Sequence, residues 1–360
     1  MTILYVLLSI LLLGILIMVH EWGHFSAARL MKIEVREFSL GMGPKLLGWK
    51  SKKHETDFSL RLIPMGGYCA FYGEDDVTGE GQNDPRAFPK QNVWKRFFTV
   101  FMGPCMNFIL ALVVAVICYM TMGTAKPTGQ VDLYVNQVMG AGPAWEAGLQ
   151  DGDRIVSVGG KSMEGVTEDA VLNLFGDWKE GDGPVEVVLG RGEETVVTQV
   201  TPYWDEMEKK NRIGIILSYV PRSEHITLNF GQSVAAGFSW CVETGKLIFV
   251  GLGELFTGKQ GMDQVSGPVG VVSMVTELVM DNGLTVWVEL MVLLSVNLGV
   301  MNLLPIPGLD GSRLLFNLIE GVRGKPVPQK KEALIHTIGL VALLLFMVFL
   351  TVKDVIGLLK

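Results

Sequence analysis

The stretch 20–24 reads HEWGH, and its two histidines and one glutamate have a spacing that can do chemistry. On a helix, His20 and His24 lie one turn apart on the same face, so both imidazoles can bind one Zn²⁺ ion. Glu21 lies beside them and can accept a proton from a water molecule at the metal. Because HExxH patterns also arise by chance, the surroundings of this stretch decide its meaning.

The surroundings of HEWGH are apolar, since residues 3–19 carry no charge. Each ionisable residue inside a membrane-spanning helix costs about 2.5–3.5 kcal/mol on insertion scales, and such residues mark functional sites by default. A metal site inside the bilayer is therefore the preferred interpretation of His20 and His24. The alternative is that the two histidines only pack against neighbouring helices.

A catalytic zinc ion needs a third protein ligand and an open position for water. Asp310 is the candidate, in the sequence NLLPIPGLDG at 302–311. Pro305 and Pro307 must break the helix there, and a broken helix at membrane depth is tolerated where it lines a polar cavity. The alternative is that Asp310 only begins an Asp-Gly turn.

The composition predicts a multi-pass membrane protein. Of 360 residues, 49% are hydrophobic and 19% are charged, and the mean hydropathy is +0.36. A bilayer core needs about 20 apolar residues per helix, and four segments qualify: 2–24, 97–122, 284–306 and 336–354. A fifth segment, 234–257, contains Glu243, Lys246 and Glu254 and is predicted to be an amphipathic helix on the membrane surface.

The charge pattern predicts the orientation in the membrane. Lysines and arginines are concentrated in the loop 29–96 and after Asp310, so both regions should be cytoplasmic. Residues 123–233 and both termini should then be extracytoplasmic, with His20 and Asp310 at the cytoplasmic end of the bilayer. The net charge of −7 argues against nucleic acid as a partner. The four cysteines lie far apart without CxxC spacing and imply no disulfide framework.

Between the second and third predicted spans, the sequence changes to a soluble, glycine-rich stretch with short alternating strands. Residues 142–160, GPAWEAGLQDGDRIVSVGG, resemble the core of PDZ domains, with a short helix, a Gly-Asp turn and a strand in order. A PDZ domain is therefore predicted over 125–205. A Gly-Leu-Gly-Phe loop for binding a free C-terminus is not evident near 127–134.

HEWGH in the first span and NxxPxPxLDG in a late span together resemble the site-2 protease family of intramembrane metalloproteases. The inserted PDZ domain is similar to the bacterial regulator-of-sigma-E-protease type, although this chain has room for a single PDZ domain. The resemblance covers nearly the whole chain and includes Ile63-Pro64-Met65-Gly66-Gly67-Tyr68 and Gly103-Pro104-Cys105-Met106-Asn107.

The resemblance implies a fold class: a multi-pass α-helical membrane protein with about four transmembrane helices and an inserted small α+β PDZ domain. The predicted regions are an N-terminal membrane half (1–124) with a membrane-associated hairpin at 35–73, the PDZ domain (125–205), a linker with the surface helix (206–283), and a C-terminal membrane half (284–360).

The resemblance also implies an activity, which is hydrolysis of peptide bonds in single-span membrane proteins of the bacterial inner membrane. One Zn²⁺ per chain would be held by His20, His24 and Asp310, with Glu21 as the base. The implied substrates are anti-sigma factors or remnant signal peptides, after a site-1 type protease has trimmed their outer part. The candidate substrate-binding residues are Asn297, Asn302, Pro305, Pro307, Gly66 and Gly67.

For the two asparagines, the alternative is hydrogen bonding between helices, and for Gly66 and Gly67 it is a simple turn. Asn107 is predicted to serve packing more than the site. Two other functions compete with proteolysis. One is an inactive membrane scaffold whose PDZ domain binds peptides and whose zinc is structural, and the other is a metal transporter. The intact Glu21 argues against the scaffold, and the absence of an internal repeat argues against the transporter.

Overall fold

The computed structural model of the protein describes residues 2–51, 55–74, 84–140, 142–167, 170–171, 174–179, 181–259, 261 and 265–359. The chain forms two compact units. Unit 1 contains Met1–Thr121 and Leu228–Lys360, and unit 2 contains Met122–Thr227.

The described helices are the following: α1 (Thr2–Met31), α2 (Val93–Met122), α3 (Pro143–Glu146), α4 (Phe230–Phe256), α5 (Pro268–Asn282), α6 (Leu284–Leu303), α7 (Asp310–Arg323) and α8 (Gln329–Leu358). A single 3₁₀ turn, Phe88–Lys90, precedes α2. Five of these helices are long and apolar enough to cross a membrane, judged by length and composition: α1, α2, α4, α6 and α8.

The sequence predicts four spans, and α4 is the additional candidate. Its most apolar window has a mean hydropathy of 1.2, the lowest of the five. One face of α4 packs through Trp240 and Ile248 against a cluster formed by α2 and α6, whereas Glu243 and Lys246 form an exposed ion pair. The described contacts thus place this helix against two others along one side, and its position on the membrane surface stays a prediction.

The centre of unit 1 is an apolar contact between α1, α5 and α6. Leu12 and Leu16 of α1 are buried against Val275 of α5 and against Leu290 and Met291 of α6. This packing sets α6 beside α1, so the end of α6 that leads to Asp310 lies near the HEWGH turn of α1. The pairing joins two segments that are almost 300 residues apart in sequence.

A two-stranded sheet follows α1, with β1 (Val35–Lys50) and β2 (Asp57–Phe71). It corresponds to the hairpin predicted at 35–73. Both strands fold back on themselves, because Leu40 has Gly67 as a partner on one side and Leu60 on the other. In the described register, the segment 67–71 therefore forms one edge of this sheet.

Unit 2 is built on the strands β3 (Thr124–Val138), β4 (Arg154–Val158), β5 (Lys161–Ser162), β6 (Val185–Arg191), β7 (Glu194–Val200), β8 (Tyr203–Asp205), β9 (Lys210–Arg212) and β10 (Ile215–Ile226). The main sheet has the order β10-β3-β4-β6-β7, with β5 beside β4, and β8 pairs with β9. Leu133, Ile155 and Leu189 are completely or almost completely buried at its centre. Unit 2 thus has a hydrophobic core of its own.

The predicted boundary of this domain differs from the observed one. The sequence places its end at 205 and assigns 206–283 to a linker and a helix, whereas the compact unit continues to Thr227. The reason is β10, which pairs antiparallel with β3 along its length, from Ile215 opposite Val138 to Ile226 opposite Thr124. The predicted order of short helix, Gly-Asp turn and strand is observed as α3, Gly152 and β4. The assignment of this unit as a PDZ domain stays a prediction.

Candidate metal centre

His20, His24 and Asp310 come together at one point in unit 1. Nε2 of His20 lies 3.1 Å from Oδ2 of Asp310, Nε2 of His24 lies 3.2 Å from the same oxygen, and the two Nε2 atoms are 3.2 Å apart. Both histidines are buried. Two imidazole nitrogens and one carboxylate oxygen are a donor set of catalytic zinc, and their convergence within 4.8 Å fits a single ion.

The other ring nitrogens point away from this centre and have partners of their own. Nδ1 of His24 lies 3.1 Å from the backbone carbonyl of Thr99, and Nδ1 of His20 lies 3.2 Å from Nδ2 of Asn107. Both partners belong to α2. Zinc-binding histidines ordinarily have such a partner, which fixes the orientation of the ring.

Asp310 is brought to the histidines by a break between α6 and α7. Helix α6 ends at Leu303, before Pro305 and Pro307, and α7 begins at Asp310 itself. A carboxylate at the first position of a helix interacts favourably with the helix dipole. The following residue, Gly311, packs directly against the backbone carbonyls that end α6, where any Cβ atom would clash. The Asp-Gly pair therefore permits the tight turn that positions the carboxylate.

Glu21 lies between the histidines and the sheet. Its carboxylate accepts a hydrogen bond from the backbone N–H of Cys69 in β2 and interacts electrostatically with His24, His20 and Asp310. Gly67 covers it closely, because a Cβ atom there would lie 3.2 Å from Cγ of Glu21 and 3.2 Å from Cγ2 of Ile17. The edge segment 67–71 thus runs directly beside the glutamate.

The predicted substrate-binding residues differ in their burial and in their contacts. Asn297 is half-buried on α6, and Asn302 is half-buried in its last turn. Pro305 is exposed, whereas Pro307 packs against Gly339 of α8. This contact gives Pro307 a structural role in addition to breaking the helix.

Gly66 and Gly67 lie in β2, next to the glutamate. The φ angle of Gly66 is +95°, a conformation that L-residues with side chains rarely adopt. A simple turn does not account for both glycines, since Gly67 also contacts Ile17 and Glu21 of α1.

Sequence reasoning gave too little weight to three residues of α2. Asn107 is completely buried beside His20, Thr99 offers its carbonyl to His24, and Gly103 leaves the space that the His24 ring occupies. A signal for Asn107 was present, since an amide within a long apolar span needs a polar partner. The partnership of Thr99 uses a backbone atom and has no side-chain signal.

The comparisons with known proteins agree with this geometry. The family model described as Peptidase family M50 matches residues 8–346. A protein of Clostridium acetobutylicum is 36% identical over 351 residues, which cover 98% of this chain and 97% of the relative. The regulator of sigma-W protease RasP of Bacillus subtilis is 32% identical, with 97% and 98% covered, and the zinc metalloprotease RasP of Geobacillus kaustophilus is 31% identical, with 96% of each covered.

Long apolar helices that surround two histidines, an aspartate and a glutamate define a membrane-embedded zinc metalloendopeptidase. The chain belongs to peptidase family M50, the site-2 protease family, and its cofactor is Zn²⁺.

Proposed function

We propose that this protein cleaves peptide bonds in or near the transmembrane segment of single-span membrane proteins, with His20, His24 and Asp310 as zinc ligands and Glu21 as the catalytic base. The observation that carries the proposal is the convergence of two Nε2 atoms on one carboxylate oxygen, with a second carboxylate beside them. A structural zinc site has no need for that second carboxylate.

The chemistry follows from the positions of these groups. His20, His24 and Asp310 would hold a zinc ion, which would supply polarisation of the scissile carbonyl and a more acidic water. Glu21 accepts the proton of the attacking water and returns it to the leaving amine. The hydrogen bond from the Cys69 N–H orients the carboxylate for this transfer. Burial of both histidines keeps the bound site out of bulk water.

The substrate must be unwound before it can be cut, because a transmembrane helix hides its amides in its own hydrogen bonds. The edge segment 67–71 can pair with an unwound strand, as exposed sheet edges do with extended peptides. Gly67 lies on this edge beside Glu21, so a strand paired there would present its peptide bonds to the base. Asn297 and Asn302 are the candidate hydrogen-bond partners of the substrate backbone.

A groove on α1 gives the intact part of the substrate helix a place to lie. It has a volume of about 260 Å³ and is lined by apolar side chains and one glycine, namely Leu7, Ile10, Leu11, Gly14, Leu40 and Leu60. Gly14, Ile17 and Glu21 follow at helical spacing, so the groove lies on the same face of α1 as the proposed base. This shared face favours the transmembrane helix of a substrate as its occupant over lipid.

Anti-sigma factors and remnant signal peptides, first trimmed by a site-1 type protease, are the proposed substrate classes in the bacterial inner membrane. The printed name of the Bacillus subtilis relative, regulator of sigma-W protease, supports the first class. The concentration of basic residues in 29–96 supports an active site near the cytoplasmic face, with unit 2 and both termini outside as part of the proposal.

The decisive variant is Glu21→Gln, which keeps the shape of the side chain but removes the base. We expect zinc content of about one ion per chain and loss of cleavage of a tagged single-span substrate by at least about 100-fold, the range of general-base catalysis. Asp310→Ala is the matched control, which should lose zinc and cleavage together. Near-normal cleavage by Glu21→Gln would reject the assigned base, and normal zinc content in Asp310→Ala would reject the third ligand.

A further inference from the structure

The side-chain amide of Asn107 has one atom beside His20 and one without a partner in the part of the chain that the structure describes. It lies in the middle of α2, is completely buried and has Nδ2 3.2 Å from Nδ1 of His20. Its other polar atom, Oδ1, is buried without a hydrogen-bond partner among the described residues. A buried amide beside a metal-binding ring calls for an explanation in terms of that ring.

The contacts of His24 show which nitrogen of a zinc-binding imidazole carries the proton. Its Nδ1 faces the carbonyl oxygen of Thr99 at 3.1 Å, and a carbonyl oxygen can only accept. The proton of His24 is therefore on Nδ1, so that the lone pair of Nε2 is free for the zinc ion that His24 and Asp310 would share. This is the tautomer that binds a metal through Nε2.

His20 has the same requirement, since its Nε2 is also a proposed zinc ligand beside Asp310. Its Nδ1 must then carry the proton and donate it. The only acceptor on the Asn107 side chain is Oδ1, because the amide nitrogen can only donate. A half-turn of the amide exchanges its nitrogen and oxygen, and the orientation of an amide is assigned from its hydrogen-bond partners.

We propose that Asn107 is a positioning residue for the metal centre: its Oδ1 accepts a hydrogen bond from Nδ1–H of His20 and so fixes the tautomer and the ring orientation that zinc requires. This inference rests on the zinc site proposed above.

The backbone of Asn107 contacts α6. Its carbonyl accepts a hydrogen bond of 2.8 Å from Oγ of Ser295, which is completely buried on α6. Next to it, Phe108 packs closely against Gly299 of α6. These two contacts place the backbone of Asn107 against α6 and leave its side-chain amide facing His20.

Three variants of the full-length protein test this role, each in the Glu21→Gln background so that zinc binding is measured without cleavage. Asn107→Leu removes the acceptor at similar size, and Asn107→Asp keeps an acceptor and removes the donor. Ser295→Ala is the packing control at the same place. Zinc affinity is measured in detergent by competition with a chelator, and ligand geometry by the visible absorption of the cobalt-substituted protein.

We expect Asn107→Leu to weaken zinc binding by about 10–100-fold, the usual effect of removing a partner of a ligating histidine, and to shift the cobalt spectrum. Asn107→Asp should bind zinc as the parent does, and so should Ser295→Ala. Parent-like binding by Asn107→Leu would overturn the proposal, as would binding by Asn107→Asp as weak as that of Asn107→Leu. A loss in Ser295→Ala equal to that in Asn107→Leu would also overturn it, since packing would then explain the effect. Failure of the Glu21→Gln parent to bind zinc would instead reject the zinc site itself.

Discussion

At the scale of single residues, two glycines allow the ligand-bearing turn of α1 to lie against α2. Gly23, inside HEWGH, meets the backbone carbonyl of Met102, and Gly103 meets the ring of His24 around its metal-binding nitrogen. A Cβ atom at either position would come closer to these atoms than any real contact allows. The HEWGH pattern thus includes a packing requirement in addition to its ligands and its base.

This close packing predicts the effect of Gly103→Ala. The added methyl group must displace the His24 ring, because its nearest atoms are Cε1 and Nε2 of that ring. We expect zinc affinity to fall about 5- to 150-fold, which corresponds to the roughly 1–3 kcal/mol that overpacking costs. Gly14→Ala is the matched control, since a Cβ atom at Gly14 has open space around it. Equal zinc affinity in the two variants would show that the ring has room to move.

The proposed zinc ligands could be predicted from the sequence, whereas the residues that contact them could not. His20 and His24 follow from helical spacing, and the prolines before Asp310 indicate a broken helix that can carry a third ligand. Whether Asn107 packs or supports a ligand depends on which residue of α1 it faces, and one sequence holds no information on that pairing. The geometry that joins the three ligands is available only from the folded chain.

At the scale of secondary-structure elements, some segments have a local sequence signal and others do not. The long apolar helices and the hairpin at 35–73 have continuous sequence signals, and the structure has helices and strands there. The strand β10 has no such signal, because its partner β3 lies about 90 residues earlier and the pairing alone assigns it to unit 2. Helix α4 mixes charged and apolar residues, so its composition is close to the limit between surface and spanning helices.

The groove along α1 gives a prediction at this scale. Gly14→Leu should fill the groove without disturbing the fold, because no atom lies within 4 Å of a Cβ atom built there. We expect normal zinc content and a cleavage rate of a single-span substrate lowered at least about tenfold, through a higher KM. The matched control is Gly251→Leu, because Gly251 of α4 has equally open surroundings but does not line the groove.

Photo-crosslinking can test whether the groove binds the substrate or faces lipid. A photoreactive residue at Leu11 or Leu60 should crosslink to the transmembrane segment of the substrate in the Glu21→Gln protein. One at Ile117, an exposed position of α2, should not. Equal crosslinking at all three positions, or normal KM in Gly14→Leu, would assign the groove to lipid.

At the scale of the whole molecule, the orientation in the membrane can be tested independently of catalysis. Cysteines introduced near Lys50 and Lys325 should react with a membrane-impermeant reagent only from the cytoplasmic side, and one near Lys161 only from outside. The physical reason is the preference of basic loops for the cytoplasm. If the cysteines near Lys50 and Lys325 react from opposite sides of the membrane, α4 spans the membrane and the predicted topology is wrong.

Unit 2 can be deleted to test its part in substrate access. Thr124 pairs with Ile226, so the two ends of the unit lie side by side and a short Gly-Ser linker can replace residues 125–225. The metal-binding groups all belong to unit 1, and unit 2 has a separate core, so zinc binding should persist. The distance along α2 from Thr99, beside His24, to the end of the helix is about 34 Å, so the chain enters unit 2 far from the ligands.

Because the proposed zinc ligands and Glu21 all belong to unit 1, we expect unit 2 to act on access to the site. We expect it to exclude substrates with an intact ectodomain, which would make cleavage depend on prior trimming. The shortened protein should therefore cleave a short-tailed substrate at the normal rate. It should also cleave a long-tailed substrate that the full-length protein does not cleave. Glu21→Gln in the shortened protein is the control for catalysis at the same site. If the shortened protein binds zinc but no longer cleaves the short-tailed substrate, unit 2 recruits substrates and does not exclude them.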